Sequence, residues 1–74
     1  MELRQLRYFV KVAELNSFSE ASRQLHITQR TISQQIHNLE DELNVELLIR
    51  DSHRVELSDI GRAFLPQAIK TLRE

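Results

Sequence analysis

The sequence predicts a mainly helical fold, a winged helix-turn-helix built from a three-helix core, a two-stranded β wing and a C-terminal linker helix. Three observations predict it. Apolar residues recur at helical spacing in four separate segments. Cap residues separate the second and third of these by only a few positions. One short stretch between the third and fourth alternates as a strand pair does.

The first segment covers residues 3–15. Leu3, Leu6, Val10 and Ala13 keep helical spacing with Phe9 beside them, and Asn16 supplies the stop, because asparagine tolerates the left-handed conformation. Ser17-Phe18-Ser19-Glu20 reads as a capping box opening a second, short helix that turns Phe18, Ala21 and Leu25 inward and ends near Leu25 or His26. Thr28 is the predicted cap of a third helix. Ile32, Ile36, Leu39 and Leu43 then fall within a narrow arc, with Arg30, Ser33, Gln34 and His37 on the far side.

Residues 46–57 read as the wing, with a polar tip at Asp51-Ser52-His53-Arg54. Ser58 caps a fourth helix whose Ile60, Phe64, Ala68 and Leu72 repeat every four residues, flanked by Leu65 and Ile69. Pro66 lies inside it and cannot donate to the Arg62 carbonyl, which predicts a kink. The division expected is a winged helix-turn-helix domain over residues 1–58, with its helix-turn-helix at about 18–37, and the start of a linker helix over 59–74. The apolar stripe still runs at Glu74, so a longer natural chain is expected.

Composition narrows the function classes. Seventy-four residues make one domain with a thin core. With no cysteine, neither a disulfide framework nor a thiolate metal site can supplement it. No apolar run is long enough for a membrane span, and residues 1–8 hold no signal-peptide core, so a soluble, cytoplasmic protein without membrane contact is expected. Net charge is −1, yet no acidic residue lies between Glu20 and Glu40, where Arg23, Arg30, His26 and His37 do. That segment can approach phosphates more easily than its flanks.

A polar face of arginine, serine, glutamine and histidine opposite an apolar stripe suits base edges and phosphates in a major groove better than an ordinary solvated face. Gln29, Ser33 and Gln34 are the candidate base contacts, and Arg30 a base or phosphate contact. Thr28 is a cap first and a phosphate donor second, since one hydroxyl hardly serves both. Arg50 and Arg54 flank the wing tip, where a cation can enter a minor groove. Arg50 could instead form a surface pair with Asp51 or Glu46.

Other chemistries find less support. His26, His37 and His53 have no spacing of a compact metal-ligand set, and no metal or cofactor is expected. Tyr8, Phe9, Phe18 and Phe64 lie on or beside the apolar stripes as core residues. Glu40, Asp41 and Glu42 resemble paired catalytic carboxylates only in composition, with no nucleophile beside a base, so an enzyme is not expected. A protein-interaction module, with the fourth helix as its working element, is the rival reading.

Three runs are similar to the LysR-type transcriptional regulators. Leu3-Arg4-Gln5-Leu6-Arg7-Tyr8-Phe9-Val10 resembles their opening, and Ser17-Phe18-Ser19-Glu20-Ala21-Ser22 with Leu25 their second helix. Thr28-Gln29-Arg30-Thr31-Ile32-Ser33-Gln34-Gln35-Ile36, followed by Leu39-Glu40, resembles their recognition helix. Leu47-Leu48, Arg50, Arg54-Val55, Leu57-Ser58 and Gly61 match the wing and the start of the linker helix.

The resemblance implies double-stranded DNA contacts at Thr28, Gln29, Arg30, Thr31, Ser33, Gln34, His37, Arg50, His53 and Arg54. It implies a homodimer through antiparallel linker helices at Phe64, Leu65, Ala68, Ile69 and Leu72, hence an interrupted inverted repeat in the DNA. It also implies a small-molecule effector bound on a C-terminal domain absent from this chain. The chain departs from the family where proline usually stands (Arg30), where arginine or lysine is frequent (Gln34), where basic residues are usual (His37 and His53) and where glycine is usual (Asn44). Gln34 moves the expected base preference from guanine toward adenine.

Overall fold

The computed structural model describes residues 1–51 and 54–74. Four helices and one hairpin follow in the order α1 (Leu3–Leu15), α2 (Phe18–Leu25), α3 (Gln29–Leu43), β1 (Leu48–Arg50), β2 (Val55–Leu57) and α4 (Asp59–Arg73). The strands pair antiparallel, Leu48 opposite Leu57 and Arg50 opposite Val55. The Asp51 amide donates to the Arg54 carbonyl at 3.0 Å at the mouth of the hairpin turn.

Local chemistry sets the helix ends. The hydroxyls of Ser17, Thr28 and Ser58 accept from the amides of Glu20, Thr31 and Gly61, as the cap assignments require. Glu20 does not complete the expected capping box; its carboxylate pairs with Arg23 one turn on. Asn16, His26 and Asn44 end their helices at φ of 51°, 57° and 57°. Asn44 thus takes the left-handed position where a glycine serves without strain. His26 takes the same conformation, and Ser22 ties this turn down by donating its hydroxyl to the Ile27 carbonyl and accepting the Ile27 amide on its own carbonyl, the latter at 3.2 Å.

Helix α1 is the hub of the fold and packs against α2, α3 and α4. Phe9, Val12, Ala21, Ile32, Ile36, Leu39 and Leu47 are completely buried. Helix α4 lies across α1, with the Phe9 and Phe64 rings tilted at 5.7 Å between centroids. No helix among the described residues is long and apolar enough to cross a membrane.

Several inward assignments shift. Leu3 is 56% exposed because it precedes the first turn that reaches the core, and Val12, outside the predicted stripe, is buried in its place. Ile60 is 52% exposed, because the α4 face turned inward at that level belongs to Gly61. Strand β1 begins at Leu48 rather than near residue 46, since Leu47 drops into the core before the hairpin starts. Helix α4 runs through Pro66, which is exposed, as one element from Asp59 to Arg73.

Ala68 is 1% exposed, so the stripe beyond Pro66 does find partners inside this chain. Ala68, expected among the dimer contacts, is buried within this single chain. Phe64, Leu65, Ile69 and Leu72 pack against the core and stay half-buried.

Gly61 is buried against the backbone of Leu47, and a Cβ there would collide with the Leu47 carbonyl oxygen. That carbonyl accepts the Ser58 amide at 3.0 Å, so it cannot move aside without loosening the start of α4. A glycine-to-alanine change inside a helix ordinarily stabilises by about 0.5–1 kcal/mol. Here the sign reverses: Gly61→Ala is expected to destabilise by roughly 2–3 kcal/mol in urea unfolding, from overpacking against backbone.

Candidate nucleic-acid interface

Helix α3 carries most of the predicted contacts. Thr28, Gln29, Arg30, Thr31, Gln34 and His37 are exposed and Ser33 is half-buried, opposite the buried Ile32, Ile36 and Leu39. The first turn of α3 contains no acidic residue, whereas the first turns of α2 and α4 hold Glu20 and Asp59. Its positive dipole end is therefore left without a compensating carboxylate, and Arg30 adds a second positive charge. That arrangement costs the isolated helix some stability and favours an anion from outside. Arg30 makes no hydrogen bond or ion pair among the described residues.

The two threonines divide their roles. Thr28 Oγ1 accepts the Thr31 amide at 3.2 Å and donates its proton to Thr31 Oγ1 at 2.9 Å. Its donor is spent, so the hydroxyl proton left for a phosphate is that of Thr31.

Arg50 is held in place from three sides. Its Nη1 donates to Ser33 Oγ at 2.8 Å, its Nη2 lies 3.9 Å from Glu40 Oε1, and its Cζ sits 4.7 Å from the centroid of the Phe18 ring. Two predicted DNA residues, Ser33 and Arg50, thus touch each other. The guanidinium joins α2, α3 and β1, and its planar fork leaves further N–H groups for a ligand. The contacts of Arg50 are these rather than the alternative surface pair with Asp51 or Glu46.

Glu40 explains why the wing lies where it does. It is buried, and its Oε2 accepts the backbone amides of Leu47 at 2.7 Å and Leu48 at 3.1 Å. Sequence reasoning missed this role by grouping Glu40 with its exposed neighbours Asp41 and Glu42. The available signal was its place one residue past Leu39, on the flank of the apolar arc. Asn16 adds a second tie, donating its side-chain amide to the Val55 carbonyl at 3.1 Å.

Two clefts border α3. One of about 250 Å³ brings Gln29 together with Arg54, Ser17 and Asn16, so the wing and the starts of α2 and α3 share a single polar surface. The other, of about 300 Å³, places His37 with Glu40, Asp41 and Glu46. His37 Nε2 is 3.4 Å from Asp41 Oδ2. Arg50 lines the same cleft, so His37 shares it with three acids and with the cation that braces the wing. His26 is exposed at the end of α2, and His53 lies outside the described residues. No group of three or more metal-ligating side chains occurs among the described residues.

Comparison with known proteins places this geometry. Residues 3–62 match the family described as bacterial regulatory helix-turn-helix protein, lysR family. The probable cat1 operon transcriptional activator of Acinetobacter lwoffii is 54% identical over 72 residues, which is 97% of this chain and 24% of that protein. The chain thus spans about a quarter of that relative's length. Among solved structures, the BenM DNA-binding domain in complex with catB site 1 DNA superposes with a TM-score of 0.94 at 49% identity, covering 99% of this chain and 82% of that one. The CbnR DNA-binding domain in complex with DNA gives a TM-score of 0.95 at 42% identity, covering 99% and 84%.

Proposed function

The chain belongs to the lysR family of bacterial regulatory helix-turn-helix proteins, and from that premise we propose that it is the sequence-specific, double-stranded DNA-binding domain of a transcription regulator, acting by binding rather than catalysis. The observation that carries this reading is the acid-free, exposed first half of α3, with Arg30 in its first turn and with Gln29 sharing a cleft with Asp51 and Arg54 of the wing. The similar BenM and CbnR domains are seen in DNA complexes. Helix α3 enters the major groove, where Gln29 and Gln34 read base edges and Arg30 and Thr31 hold phosphates. The wing approaches the minor groove with Arg54, while Arg50 braces the wing and offers its remaining N–H groups to the backbone. His53, at the wing tip, is included on the family resemblance alone.

For a longer regulator containing this domain, the same reading proposes gene regulation, a cytoplasmic location and a small-molecule effector bound elsewhere in the protein. Dimerisation through Phe64, Leu65, Ile69 and Leu72 of α4 is part of the same proposal. These residues are half-buried in the single chain, so a second copy could cover what remains.

Two measurements test this reading. Arg30→Ala is expected to weaken binding to all duplex sequences alike and to lower the slope of log affinity against log salt by about one unit, the signature of one lost phosphate contact. Wild-type affinity and slope in that variant would remove Arg30 from the interface. In light scattering over a concentration series, the chain is expected to pass from monomer to dimer, with Ile69→Glu and Leu72→Glu holding it monomeric. A monomer throughout, binding an inverted repeat no better than a half-site, would overturn the α4 pairing.

A further inference from the structure

Arg30, Gln34 and Asn38 form one i, i+4 row along the exposed side of α3. Within it the Gln34 side-chain amide donates to Asn38 Oδ1 at 3.0 Å. A primary amide has two N–H donors and a carbonyl with two lone pairs. Asn38 consumes one N–H, leaving Gln34 one N–H and its carbonyl oxygen, a mixed edge of one donor and one acceptor.

That edge has one full match among the purines. Adenine presents the N6 amine as donor and N7 as acceptor in the major groove, whereas guanine presents O6 and N7, both acceptors. Against guanine, the Gln34 carbonyl would face O6 with no proton between them. With its donor anchored on Asn38, the glutamine is held in the orientation that fits adenine before DNA arrives, which lowers the ordering cost of binding.

We propose that Asn38 is a positioning residue that orients the Gln34 amide, so that preference for adenine over guanine at one position of each half-site depends on both side chains. This rests on the reading of α3 as the major-groove helix. Asn38 itself need not touch DNA; it acts through Gln34.

The experiment selects binding sites for the chain from a pool of double-stranded oligonucleotides carrying a randomised inverted repeat. Affinities are then measured on duplex pairs differing only by adenine or guanine at the selected position. Wild type is expected to favour adenine by roughly tenfold. Asn38→Ala should reduce the ratio to about twofold, with the salt slope and thermal midpoint unchanged, since only orientation of the contact is lost.

Asn38→Asp keeps an acceptor for the Gln34 N–H and should restore the ratio while lowering overall affinity through its charge. Gln34→Arg should transfer the preference to guanine. A full adenine preference in Asn38→Ala, or guanine selected by wild type where Gln34→Arg also selects it, overturns the proposal. Failure of wild type to bind any duplex in a salt-dependent way overturns the DNA-binding reading itself, and this proposal with it.

Discussion

A buried carboxylate holds the working parts of this domain in register. Glu40 receives the amides of Leu47 and Leu48 at the point where the chain leaves α3 and turns into β1. Buried backbone amides need partners, and unmet ones cost about 1–3 kcal/mol each. Leu47 directly precedes β1 and Leu48 is its first residue, and the Glu40 carboxylate is the acceptor for both amides. Using a carboxylate from the last turns of α3 means the wing is hung from the same helix whose opposite end bears the proposed DNA contacts. Arg50, lying 3.9 Å from Glu40 and bonded to Ser33, carries that link across to the exposed face. Gly61 closes the arrangement by letting α4 start directly against the Leu47 backbone.

This coupling clarifies how a chain of net charge −1 can face a polyanion. Charge is partitioned along α3. The first half holds Arg30 and a dipole end with no acid, and the second half holds Glu40, Asp41 and Glu42. Of those acids, Glu40 is turned inward, and Asp41 sits beside His37 in a separate cleft. The proposed interface therefore occupies a limited surface formed by the start of α3 and the wing.

The fold was legible in the sequence where a cap coincided with a change of periodicity. Ser17, Thr28 and Ser58 mark helix starts because their side chains act locally on the backbone, and Asn16 marks a helix end because asparagine tolerates the left-handed conformation. Legibility failed where burial depends on a neighbour distant in sequence. Leu3 and Ile60 satisfy helical spacing but stay exposed, while Val12, one turn past Tyr8 and Phe9 and outside the predicted stripe, is covered. Ala68, implied as a dimer contact, is already covered once the chain folds. The candidate site divides the same way: the polar face of α3 follows from periodicity alone. The Arg50–Ser33 contact spans 17 positions and the Glu40–Leu48 contact 8, and no local pattern encodes either. Asn38 was readable in principle as the i+4 neighbour of Gln34, but its role shows only when both amides are placed.

The central claim is that the first half of α3 and the wing form one continuous DNA-facing surface, with α1 and α4 behind it. The most direct measurement is a titration of the 15N-labelled chain with a duplex containing its selected site, followed by amide NMR shifts. Coincident changes are expected at Gln29, Arg30, Thr31, Gln34 and Arg54, with Arg7, Lys11 and Lys70 unmoved. Changes centred on the outer face of α1 or on the exposed side of α4, with α3 silent, would contradict it.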